Sequence, residues 1–166
     1  MNQEQELQVA HRQRLAAHWI VSLLRSGNIP FIVCGGLAAQ GHGASRPLHD
    51  IDLFVPEAHF AQVVAAGQGF ISKPAQRYNE EGWNLEYVQF RYEGVKVEVG
   101  NAGEAYVYDV GRQAWARLDI DFTRYQKITL LGLELPVMRK ADLIQYKSWL
   151  GRPVDAQDIR EMGGRA

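Results

Sequence analysis

The sequence predicts an α+β protein, a mixed β-sheet flanked by helices, and three observations predict it. Residues near both ends place their apolar side chains at helical spacing, while the middle of the chain alternates apolar and polar residues as half-buried strands do. The 166-residue chain is 46% hydrophobic and 22% charged, which is ordinary for a globular domain and excludes an intrinsically disordered one. No internal repeat, low-complexity linker or shift in composition divides the chain. One domain over residues 1–166 is therefore expected, with an N-terminal helix in 1–28, a sheet in 29–138 and C-terminal helices in 139–166.

Leu7, Leu15, Ala16, Trp19, Ile20, Leu23 and Leu24 set the first helix, from about Gln5 to Arg25, and Gly27-Asn28 stop it. Pro30 to Cys34 is long enough for one buried strand. It ends at Gly35-Gly36, after which Leu37 to Gln40 reads as a short helix. A loop over 41–49 leads to a second strand, Asp50 to Val55, closed by Pro56. Glu57 to Gly67 predicts a helix with Phe60, Val63 and Val64 inward. Leu85–Tyr92 and Val95–Val99 alternate around Glu93-Gly94, a hairpin signal. Lys127–Leu131 and Glu134–Val137 repeat that pattern around Gly132. Leu143, Ile144, Tyr146, Lys147 and Leu150 mark a helix that breaks at Gly151 and Pro153, and a last short helix begins near Asp155.

Several function classes are excluded early. With 18 Lys+Arg against 19 Asp+Glu, the net charge is −1, so general nucleic-acid binding is not expected. Cys34 is the sole cysteine; it permits no disulfide framework and reads as a small buried hydrophobe. His42 and His49 flank Arg46 but form no metal-ligand spacing, so zinc is not expected. A polar N-terminus and the lack of a long apolar stretch predict a cytoplasmic protein with no membrane partner. Trp83, Trp115 and Trp149 are expected to serve packing or interfaces.

The informative segment runs from Gly35 to Val55. Residues two apart on a strand share a face, so Asp50 and Asp52 project together while Ile51 and Leu53 face the other way. Two carboxylates about 7 Å apart repel unless a cation lies between them, and Mg²⁺ takes hard oxygen ligands from one or two carboxylates plus phosphates and water. The bland alternative is a solvated loop start. Gly35 and Gly36 allow close approach of backbone to a ligand, and the helix that follows offers free N–H groups to a phosphate; the alternative is a tight turn. Strict alternation in Val95-Lys96-Val97-Glu98-Val99 turns Lys96 and Glu98 away from the core. Beside the Asp50 strand, Glu98 becomes a third acid; elsewhere it belongs to an exposed Lys–Glu ladder.

Gly35-Gly36, Asp50-Ile51-Asp52 and Glu98 together resemble the DNA polymerase β-like nucleotidyltransferase superfamily. The run "GGLAAQGHGASRPLHDIDLFV" looks like its small bacterial branch, with aminoglycoside- and lincosamide-type nucleotidyltransferases and abortive-infection toxin relatives. The stretches "GVKVEV" and "LPVMRKADLIQYKSWLGRPVDAQDI" are similar to small members of that branch. The resemblance implies the nucleotidyltransferase fold and transfer of a nucleoside monophosphate from a nucleoside triphosphate, with ATP in first place, to an acceptor hydroxyl of a small molecule, RNA or protein, releasing pyrophosphate. It implies two Mg²⁺ ions held by Asp50, Asp52 and Glu98, with Glu98 either completing the second ion's site or accepting the acceptor proton. Gly35 and Gly36 would cradle phosphates, and Arg46 and Lys147 are candidate phosphate contacts; each cation has a solvated surface role as its alternative.

The chain departs from larger relatives, which add a helical domain that shapes the acceptor site. Here the acceptor is expected on the open face of the sheet, on the Gly100–Tyr125 insertion, or across a homodimer. Gly100-Asn101-Ala102-Gly103 reads as a mobile loop. The competing function is a non-catalytic nucleotide-binding regulatory or toxin–antitoxin module.

Overall fold

The computed structural model describes residues 1–165, and Ala166 lies outside them. A capping box opens helix α1 (Gln3–Ser26): Asn2 Oδ1 accepts from the Gln5 backbone N–H and Gln5 Oε1 from that of Asn2, both at 2.9 Å. Then follow β1 (Ile32–Cys34), α2 (Gly35–Gly41), β2 (Asp50–Val55), α3 (Glu57–Ala66) and a 3₁₀ turn at Gln68–Phe70. The central strands are β3 (Ile71–Glu80), β4 (Trp83–Tyr92), β5 (Val95–Asn101), β6 (Tyr106–Asp109) and β7 (Ala114–Arg117). The hairpin β8 (Gln126–Leu130) and β9 (Leu133–Val137) leads to α4 (Lys140–Leu150) and α5 (Pro153–Glu161). Among the described residues the nine strands form one mixed sheet in the order β7-β6-β4-β5-β2-β1-β9-β8, with β3 added on β4.

Two parallel pairings carry the topology. β2 runs beside β5 with Asp50 opposite Lys96, Asp52 opposite Glu98 and Phe54 opposite Gly100. β1 runs beside β9 through Val33 and Val137, and antiparallel to β2 with Cys34 opposite Asp52. Alternation then splits the sheet into two faces. Ile51, Leu53, Val55, Val88, Phe90, Val97 and Val99 lie on one face and are all buried. That face packs against α1, through Ala16, Ala17, Ile20 and Leu24, and against α3, through Phe60 and Val63. Trp19 of α1 stacks on Tyr92 at 5.0 Å between ring centroids and meets Phe90 edge-on. The opposite face carries Asp50, Asp52, Lys96, Glu98 and Gln89. No described helix is long and apolar enough to cross a membrane.

Two expectations need correction. Gly100-Asn101 is not a loop: it continues β5, and Asn101 is buried with its Nδ2 donating to Glu86 Oε1 and its Oδ1 accepting from the Gly103 N–H, both at 2.9 Å. Gly100 is needed there because a Cβ would come within 2.6 Å of the Phe54 ring. The strand β3 and the hairpin β6–β7 lie in stretches for which no strand was expected. Pro74 and the polar run after it hide the alternation of β3, which reaches its partner through two register shifts. Gly100→Ala should destabilise the fold by about 1–3 kcal/mol through overpacking against Phe54, read as a lower denaturation midpoint with unchanged slope.

Candidate active site

Asp50 and Asp52 are both half-buried, and the parallel register with β5 puts Glu98 directly beside Asp52 on the same face, about 5 Å away between backbones. The loop before Asp50 is tied from several sides. Gln40 Nε2 donates to the Arg46 carbonyl at 2.8 Å, Gln13 Nε2 to the Leu48 carbonyl at 2.9 Å, and the Ser45 N–H to Glu161 Oε2 at 2.6 Å. His42 Nε2 donates to the Met138 carbonyl at 2.8 Å, so His42 anchors this loop, while His49 lines the cleft.

Gly35 occupies the sharpest point of the β1–α2 turn. Its φ of +62° favours glycine, and a Cβ there would lie 2.5 Å from Asp52 Oδ2. Its N–H already donates to the Tyr146 hydroxyl at 2.8 Å. This turn and the acids open into a cleft of about 550 Å³. Its floor is the polar sheet face. One wall is built by Arg46, Tyr146, Lys147 and Arg152, and another by Trp83, Leu85 and Tyr87. Gly35, Gly36, Arg46, Asp50, Asp52, Glu98 and Lys147 all line this cleft.

Burial, followed by repulsion from Glu98 and from Asp50, pushes the Asp52 carboxyl up to about 8. Burial also raises Glu98, with Asp50 adding to it, while the amide of Gln89, donating to Glu98 Oε1 at 3.2 Å, opposes the rise. Neither Asp50 nor Asp52 has a hydrogen bond or salt bridge from its side chain to another described residue. Among the described residues no group of three His, Cys, Asp or Glu side chains, Asp50, Asp52 and Glu98 included, stands so that it could hold a metal ion. The hard oxygens of Asp50 and Asp52, free of direct protein partners, suit a divalent cation that takes the rest of its coordination from phosphate oxygens and water.

For Arg46 and Lys147 the structure removes the alternative weighed against a phosphate contact. Neither is a solvated surface cation. Arg46 forms a two-pronged bond to Asp158, at 2.9 and 2.7 Å, and Lys147 is buried against Asp155 and Asp158. Arg152, Asp155 and Asp158 carried no sequence signal beyond a helix start. Trp83 is also displaced from its expected role: it lines the cleft, edge-on to Tyr146 at 5.4 Å and tilted toward Phe54 at 6.4 Å. Trp115 is 43% exposed and so packs no core. Cys34 is buried at the cleft floor, and burial together with Asp52 raises its thiol.

No family model matches the chain, and no curated protein matches it. Solved structures do. A nucleotidyltransferase candidate from Thermotoga maritima superimposes with a TM-score of 0.68 at 21% identity, covering 96% of this chain and 93% of that one. The lincosamide antibiotic adenylyltransferase LnuA, solved with lincomycin, gives 0.59 at 12% identity over 93% and 97%. The antibiotic-resistance factor ANT(2'')-Ia gives 0.59 at 14% identity over 91% and 80%. The chain shares the fold of these nucleotidyltransferases.

The Asp52 shift fixes the sign of a pH effect. Between its ordinary value of 3.8 and about 8, the folded protein keeps a proton that the unfolded chain releases, so this group's contribution to stability is lost as pH rises through that window. In EDTA, Asp52→Asn should abolish that slope and melt about 2–4 °C higher at pH 8, roughly 1 kcal/mol, by scanning calorimetry.

Proposed function

We propose that the protein is a Mg²⁺-dependent nucleotidyltransferase that moves a nucleoside monophosphate from a nucleoside triphosphate, ATP in first place, to an acceptor hydroxyl and releases pyrophosphate. The observation that carries this reading is the placement of Asp50, Asp52 and Glu98 on one sheet face, at the floor of a cleft, with no direct hydrogen bond or ion pair from the Asp50 or Asp52 side chain to another described residue. Mg²⁺, when bound, would neutralise phosphate charge and align the attacking and leaving oxygens. Asp50 and Asp52 would hold it, and Glu98 would complete the second ion's site.

The residues then divide the work. Gly35 and Gly36 bring backbone close to the phosphates, with Tyr146 holding the Gly35 N–H in place until a ligand arrives. Arg46 and Lys147 supply positive charge at the wall. The acceptor oxygen attacks the α-phosphorus, the bond from that phosphorus to the bridging oxygen of pyrophosphate breaks, and the hydroxyl proton passes to solvent or to Glu98. Positioning and charge neutralisation carry most of the acceleration.

The acceptor enters on the Glu98 side, bordered by Lys73, Tyr87 and Gln89. LnuA was solved with lincomycin and ANT(2'')-Ia with adenylyl-2''-tobramycin, which makes a small polyhydroxyl compound the first acceptor class to try. We place the reaction in the cytoplasm, where nucleotide and Mg²⁺ are abundant, with the chain acting as one catalytic unit, alone or as a homodimer.

Incubation with labelled ATP, Mg²⁺ and fractionated cell extract should transfer label to one fraction. Asp52→Ala should lower transfer at least about 10²-fold, and Mg²⁺ with ATP should raise the melting temperature. Binding without transfer to any fraction would leave a regulatory module in place of an enzyme; no thermal shift at all would reject nucleotide binding as well.

A further inference from the structure

Five charged side chains form a continuous line along one wall of the cleft. Arg46 Nε and Nη2 bond Asp158 at 2.9 and 2.7 Å. Asp158 Oδ2 accepts from Lys147 Nζ at 3.0 Å, and the same ammonium lies 3.4 Å from Asp155 Oδ1. Asp155 in turn takes Arg152 Nε at 2.7 Å and Nη2 at 3.1 Å. Asp155 and Asp158 are fully buried and Lys147 is 2% exposed. The three cations line the cleft, whereas neither carboxylate does.

Stability alone does not call for such an arrangement, since apolar residues of similar volume usually serve at least as well as a buried ion network. Its charges do not cancel either: three cations face two anions, leaving one positive charge. The carboxylates sit behind, and the cations stand between them and the cleft. Lys147 and Arg152 act on Asp52 from across it, both opposing the rise of its carboxyl. Arg152 stands at the open end of the line with its side chain 42% exposed, its guanidinium oriented by two bonds from one side and free to donate from the other.

We propose that Asp155 and Asp158 are positioning residues that hold Arg46, Lys147 and Arg152 as a preset cationic wall for the pyrophosphate end of the nucleotide, with Arg152 touching the leaving group. The inference rests on the transferase reading above and adds to it a leaving-group site and three residues. As the bond between the α-phosphorus and the bridging oxygen breaks, that oxygen keeps the electron pair, and charge grows on the pyrophosphate oxygens. Guanidinium groups already fixed in place meet that charge without reorganising.

Removal of an acid gives a test with opposite signs for the two explanations. Coulomb's law alone makes Asp158→Asn and Asp155→Asn bind pyrophosphate more tightly, because a negative charge near the anion is gone. Loss of positioning makes them bind it more weakly. Titration calorimetry of Mg²⁺-pyrophosphate on the full chain, with melting curves to establish folding, should give Arg152→Gln about 10-fold weaker and each Asp→Asn variant weaker than the unmodified protein. Asp158→Asn added to Arg46→Gln should cost less than it does alone. If Asp158→Asn fails to fold, the comparison of Asp155→Asn with Arg152→Gln at the exposed end decides. Equal or tighter pyrophosphate binding by a folded Asp→Asn variant, or an unchanged affinity in Arg152→Gln, overturns the proposal while leaving label transfer by the unmodified protein intact. An unmodified protein that binds neither ATP nor pyrophosphate overturns the transferase reading and this inference together.

Discussion

The parallel pairing of β2 with β5 is the constraint on which the site depends. It sets Asp52 against Glu98 and Asp50 against Lys96, although these segments lie over forty residues apart in the chain. Side-chain period on a strand is two, so a slip of one residue would turn the acids into the core and Ile51 or Val97 into the cleft. The register is held because the other face is filled with Ile51, Leu53, Val55, Val97 and Val99. Apolar packing on one side thus maintains an unfavourable grouping of carboxylates on the other.

The surroundings of the acids follow from that grouping. The loop feeding Asp50 is bonded to α1, α2 and α5 through Gln13, Gln40 and Glu161, which limits how far the carboxylates can move apart. Gly35 approaches Asp52 so closely that any side chain would collide with it. Arg46 from the loop before β2 and Lys147 and Arg152 from the α4–α5 region supply positive charge along one wall, each already engaged by a buried carboxylate, and the rings of Trp83 and Tyr146 meet edge-on in the cleft lining. The cleft thus carries acids on its floor and cations along one wall, with aromatic rings among them.

A second polar group lies on the Glu98 side of the cleft. Lys73 reaches Glu80 at 2.7 Å and the Tyr87 hydroxyl, and sits over the Tyr78 ring at 4.1 Å. These contacts fix the β3–β4 hairpin beside Glu98 and raise the Lys73 ammonium, the bond to Glu80 first. β3 and β4 contribute Lys73, Glu80, Trp83, Leu85 and Tyr87 to the lining, so the walls of the cleft come from strands as well as helices.

The sequence by itself determined the helices at both ends, the turn at Gly35-Gly36, the shared face of Asp50 and Asp52, and the hairpin around Glu93-Gly94, because each rests on local periodicity or backbone permissiveness. Lys147 and Arg46 were visible as cations near the acids, but not their partners: a buried Asp at a helix start looks the same in sequence as an exposed one. Trp83 read as packing for a similar reason, since nothing local separates a core ring from one that faces a cleft. Only the tertiary structure decided that β5 lies beside β2, that Asp155 and Asp158 stand behind the cations, and that Gly100 belongs to a strand. Each of those outcomes depends on contacts between segments far apart in the chain, where long-range packing and charge, rather than residue preference, set the lowest free energy.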